Sequence, residues 1–165
     1  MSARGASALV GLAVTLVSCG GGVGNTAQVQ ASASAVKAQA VYAKCNRDMS
    51  ALLAALSDLD SRLGVGLTQS DYNGKVGDVK VAYDKINVSS LDKACVNDVG
   101  VHLENALNSY IEADKKWGNC ITNTYCSTDS ITPDLQAKWA DATSEIQAAR
   151  DGLANLKPSP TPVGS

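Results

Sequence analysis

The sequence predicts an all-α protein, an antiparallel four-helix bundle running up-down-up-down with a flexible N-terminal tether and two disulfides. Two observations carry the helices: in four stretches apolar residues recur at alternating steps of three and four, and no alternating run of useful length competes as a strand. A third observation is the cysteine count, five in 165 residues, which is odd and calls for separate roles. With 45% hydrophobic residues, 18% charged residues and a formal net charge of −2, the chain is neither disordered nor a binder of nucleic acid through bulk charge.

Residues 1–18 read as an export signal. Arg4 and the terminal amine form a short positive region, and Ala6 to Val17 is an apolar run broken only by small or hydroxylated residues. Twelve helical residues span about 18 Å, too little for a hydrocarbon core of about 30 Å. The run closes in Leu16-Val17-Ser18-Cys19, which resembles the lipobox of bacterial lipoproteins. That resemblance implies cleavage between Ser18 and Cys19, a diacylglyceryl group on the Cys19 thiol, and a home on the extracytoplasmic side of the cell membrane. It covers the first tenth of the chain and implies nothing about the mature domain, whose general style is similar to small helical envelope lipoproteins. Stable anchoring takes more than one acyl chain, since one alone binds only marginally. The mature chain has a mildly acidic balance with no attraction for anionic lipid, so membrane residence falls to the lipid on Cys19.

Residues 19–40 read as tether and frayed stalk: a glycine-rich run from Gly20 to Asn25, then a mix of Ala, Ser, Gln and Val with few large groups to pack. The bundle follows over 41–157. Its first stripe is Cys45, Met49, Leu52, Leu56, Leu59 and Leu63, with Asp58 and Asp60 read as surface charges. After Gly64-Val65-Gly66, the stripe Tyr72, Val76, Val79, Tyr83 and Ile86 predicts a second helix. Thr68 caps it, Asp71 lies in its first turn, and Gly74 and Gly77 weaken it by about 1 kcal/mol each. A tight turn at Asn87-Val88-Ser89, with Ser89 or Ser90 as cap, leads into a third helix on the stripe Val96, Val99, Leu103, Ala106, Tyr110, Ala113, Trp117 and Cys120. Thr132-Pro133 predicts the start of the fourth, whose stripe runs from Leu135 through Trp139, Ala142, Ile146, Ala149 and Leu153 to Leu156. Residues 158–165, rich in proline, form a disordered tail.

Once Cys19 is assigned to lipid, Cys45, Cys95, Cys120 and Cys126 are left, an even number in a compartment that permits disulfides. In an up-down-up-down bundle Cys95 returns to the level of Cys45, whereas Cys120 lies roughly 37 Å along the third helix from Cys95. Disulfide reach is about 7 Å between Cα atoms, which leaves the pairing Cys45–Cys95 and Cys120–Cys126.

The sequence offers little chemistry. Nothing matches the motifs of zinc proteases, serine hydrolases, phosphate loops or dinucleotide sites, and the cysteine spacings lack the close pairs of zinc or redox sites. Asp71-Tyr72-Asn73-Gly74 is similar to the start of a calcium loop, but Ala82 stands where a bidentate glutamate belongs. His102, the only histidine, reads as a solvated face residue near Asp98 and Glu104. No cofactor, metal or nucleic acid is expected.

The candidate contact surface is the loop between Cys120 and Cys126, where Tyr125 is offered with Asn123 and Asn119 at the end of the bundle away from the stalk. The function expected is that of a lipid-anchored, non-enzymatic binding or inhibitory module whose partner is an envelope or extracellular protein. The alternative is a small-ligand carrier or minor enzyme with a pocket between helices near His102 and Tyr110.

Overall fold

A computed structural model describes residues 25–159; the segment read as an export signal, Cys19, the glycine-rich run to Gly24 and the tail from Pro160 lie outside the described residues. Among the described residues there is no strand, and four helices form a bundle around one core. No helix among them is long and apolar enough to cross a membrane.

The first helix spans Asn25–Leu63. The alanine-rich run expected to fray is therefore continuous with the first helix of the bundle, a rod of 39 residues and about 58 Å. High alanine content favours helix, and the packed half from Cys45 onward supplies the nucleus from which the rest propagates. Gly66, at φ +101°, then lets the chain reverse. The second helix, Gln69–Asp84, starts as the sequence predicts: the Thr68 hydroxyl accepts from the Asp71 N–H at 3.2 Å.

The junction to the third helix differs from expectation. Ser90 sits in a 3₁₀ turn, Val88–Ser90, and its hydroxyl donates to the Asn87 carbonyl, while Ser89 donates to the Asn87 side chain. Both serines are thereby committed within the turn, and the cap passes to Asp92, whose carboxylate accepts from the Ala94 N–H at 2.9 Å. The third helix comprises an α-turn at Lys93–Cys95, a π-helical segment at Val96–Gly100, and α-helix from Val101–Thr122.

The fourth helix spans Thr128–Leu156, so it begins one turn before the predicted Thr132-Pro133 start. Thr132 does not cap: its hydroxyl donates back to the Thr128 carbonyl at 2.9 Å. The earlier turn is helical because Ile131 joins Leu135 in the core. Pro133 lacks an N–H and cannot serve the carbonyl four residues back, a loss confined to the helix's start.

All four stripes face inward, and Leu52, Leu56, Leu59, Tyr72, Val79, Val99, Leu103, Tyr110 and Ile146 are essentially inaccessible. Burying a side chain of leucine size contributes roughly 1.5–3 kcal/mol. The most extensive interface joins the third and fourth helices. Ala106, Ala113, Ala142 and Ala149 are fully buried, and small residues permit close approach. Across that interface Lys138 pairs with Glu112 at 2.6 Å, Lys116 pairs with Asp134, and His102 meets Glu145. The closest approach is at Gly152, where an added Cβ would overlap the carbonyl of Asp98 in the π-helical segment. The disulfides join Cys45 to Cys95 and Cys120 to Cys126, with Cα separations of 5.6 and 5.2 Å.

Glycine substitutions read this packing directly. Gly152→Ala should lose about 2–3 kcal/mol, because the clash is with backbone that cannot step aside. Gly77→Ala, which enters open space, should gain about 1 kcal/mol from helix propensity. Urea unfolding monitored by circular dichroism checks both; equal effects would show that the helices do not meet closely at Gly152.

Candidate functional site

Two loops follow the first and third helices, one running from Gly64 to Thr68 and the other from Asn123 to Ser127. A Cβ added at Gly118 would lie 3.6 Å from the Gln69 side chain, so the start of the second helix packs beside the third. The Gln69 amide donates to Asp114 at 3.3 Å and the Asn73 amide to the same carboxylate at 2.7 Å, tying the second helix to the third.

The loop candidates occupy distinct places. Asn119 is an exposed residue in the last turn of the third helix. Asn123 ends that helix, and its side-chain oxygen accepts from the Tyr125 N–H at 3.0 Å while its carbonyl accepts from the Cys126 N–H at 2.9 Å. Asparagine favours such turns because its side chain mimics a backbone acceptor. With the Cys120–Cys126 bridge these bonds fix the backbone on both sides of Tyr125, whose side chain is 98% exposed. Ile121, in the last turn of the third helix, is 56% exposed, and Val65, in the loop after the first helix, is 91% exposed. Sequence reasoning missed Val65 and Ile121; the signal for Val65 was an apolar residue held between two glycines, where nothing could cover it.

The core holds a cluster of aromatic rings. Tyr72 contacts Tyr110, Trp117 and Trp139 at centroid separations of 6.4, 5.8 and 5.9 Å, within the range of favourable edge and tilted packing. The polar atoms of the cluster are satisfied. The Trp139 indole N–H donates to the Tyr72 hydroxyl at 3.1 Å, and Tyr72 donates to the Tyr110 carbonyl at 3.0 Å. The Tyr110 hydroxyl donates to Asp60 at 3.0 Å, and Thr143 donates to the same carboxylate oxygen at 2.6 Å. Asp60 is thus half-buried and doubly bonded, which corrects its reading as a surface charge. Its position was the available signal: it lies four residues after Leu56, at the edge of the buried stripe. Asp58 is exposed, and the Arg62 guanidinium, then Lys75, hold its carboxyl below the usual range.

His102 bonds through Nδ1 to Glu145 on the fourth helix at 2.6 Å, and Asn105 donates to the other oxygen of Glu145 at 3.4 Å. Its partner is therefore across the interface, where same-helix reasoning from Asp98 does not look. Tyr110 and His102 are not brought together: Tyr110 is sealed beside Asp60, and His102 lies two turns away with Glu145. Among the described residues no group of three His, Cys, Asp or Glu side chains is placed to hold a metal ion. Set against known protein families, curated proteins and solved structures, the chain matches none.

Burial, reinforced at Tyr110 by the Asp60 charge, pushes both core tyrosines well above their ordinary value of 10.0. A phenol whose folded pKa exceeds its unfolded pKa stabilises the fold fully below the unfolded value. Stability should accordingly hold up to about pH 10 and fall as pH rises beyond it, as the unfolded chain ionises and the folded chain resists. Absorbance at 295 nm should show two of the five tyrosines ionising only together with loss of helix. Ionisation of all five ahead of unfolding would contradict this burial.

Proposed function

We propose that this chain is a lipid-anchored protein of the bacterial cell envelope whose helical bundle presents a binding surface away from the membrane. Cys19 carries the lipid, and the export signal ahead of it is removed. The helices run up-down-up-down. In support, contact partners rise in number along one helix as they fall along the next, from His102 with Glu145 to Lys116 with Asp134. The first helix continues past the level of the Cys45–Cys95 bridge as a stalk, so the Cys120–Cys126 loop faces outward.

The observation that carries the reading is the exposure of Tyr125 on the loop closed by the Cys120–Cys126 bridge, with Ile121 in the helical turn before it and Val65 in the loop after the first helix also exposed. Exposed apolar side chains on an ordered backbone lose little entropy on contact, and tyrosine offers a large surface at low cost. The role is non-enzymatic, the recognition of an envelope or extracellular protein.

Two substitutions separate anchoring from recognition. Cys19→Ala should move the chain from the membrane fraction to the soluble fraction. A photo-crosslinking residue at position 125 should give a discrete adduct on intact cells, while one at exposed Gln147 gives none. Retention of the Cys19→Ala variant in membranes would remove the lipid anchor from the account. Identical adduct patterns at the two positions would remove the loop.

A further inference from the structure

At the other end of the core, near the Cys45–Cys95 bridge, a cavity of about 50 Å³ opens between the first, second and third helices. Its floor is Met49 and Leu52, and one wall is the π-helical segment at Val96 and Gly100. A π turn widens the helix, and Gly100 adds no side chain; a Cβ there would lie 3.3 Å from the end of Met49. The space is open for those two reasons. Val88 and Val101 form an exposed apolar rim, 51% and 43% accessible.

The cavity has a single charged lining residue, Glu104, whose exposed carboxylate lies close enough to Tyr83 that burial and this charge together push the phenol's pKa up. No cationic side chain of the described residues pairs with Glu104, and the nearby Lys80 is occupied by Asp84. The site therefore joins a small apolar hole to a solvent-exposed carboxylate at its mouth that has no ion-pair partner among the described residues. Its volume is well below the roughly 150 Å³ that accommodates benzene, so it selects a short, narrow group.

We propose that this cavity binds a short aliphatic primary ammonium ion, with the alkyl chain inside and the ammonium on Glu104. The apolar part supplies affinity in proportion to the methylenes buried, and the carboxylate selects the charge. Neither His102 nor the Tyr125 loop takes part, so this site is independent of the proposed recognition surface.

The test is titration of the full-length chain with propyl-, butyl-, pentyl- and hexylammonium chloride, followed through amide chemical shifts. Affinity should rise about fourfold per methylene until the cavity is full and then level off. Shifts should centre on Val96 to Val101, Leu52 and Tyr83. Glu104→Gln should weaken binding roughly two- to fivefold, the range of a solvent-exposed ion pair. Gly100→Ala should weaken the longer amines more than the shortest, since its methyl group takes up space at the wall. Circular dichroism confirms that each variant is folded. Absence of shifts at these amides, equal binding by Glu104→Gln, or an equal response to alkanoates of the same lengths would overturn the assignment.

Discussion

Asp60 and the two donors that meet on it set the conditions for the rest of this bundle. The carboxylate comes from the first helix, the Tyr110 hydroxyl from the third and the Thr143 hydroxyl from the fourth. Tyr72 brings in the second helix by donating to the Tyr110 carbonyl while accepting from Trp139. Every helix thus contributes a polar group to one connected chain, in a region where Tyr72 and Tyr110 have no contact with water. At low local dielectric, a phenol that loses its partner costs more than the bond contributed, so the network penalises any shift of one helix past another. Apolar stripes alone would tolerate such slips, because leucine packs almost as well one turn along.

This polar layer and the covalent links divide the labour. The Cys45–Cys95 bridge joins the first and third helices at one level and closes a loop of 50 residues, for which chain entropy predicts about 4 kcal/mol. The Cys120–Cys126 bridge closes only six residues; its contribution of about 2 kcal/mol goes to fixing a short loop. Between them the aromatic cluster holds the register. The exposed loop of Tyr125 therefore rests on a rigid base, and the cavity beside Glu104 lies toward the other end of the third helix, where the π-helical segment packs tightly against Gly152 on one side and leaves space beside Gly100 on the other.

Much of the fold was legible because it depends on local patterns. The steps of three and four marked which residues would be buried, Thr68 marked the start of the second helix, and the rise along a helix limited the disulfide pairings. What escaped depends on neighbours distant in sequence. Asp60 is a surface charge until Tyr110 and Thr143 arrive, and His102 belongs with Asp98 until Glu145 is placed against it. Pro133 signals a helix start, but burial of Ile131 draws the preceding turn into the helix. The π-helical segment has no sequence signature of its own, although Gly152, where a side chain would strike Asp98, records its presence. The candidate loop was visible through its cysteines and Tyr125, whereas Ile121, on a helix next to buried Cys120, stood out as exposed only once the surrounding helices were placed.

The central claim is that Asp60 and Tyr110 act as one unit in holding the four helices in register. A double-mutant cycle on Asp60→Ala and Tyr110→Phe, measured by urea unfolding, tests it most directly. A coupling energy of at least about 1 kcal/mol is predicted, with Tyr110→Phe costing little once Asp60 is gone. Additive losses would contradict the account, because they would mean that the buried phenol gains nothing from the carboxylate beside it.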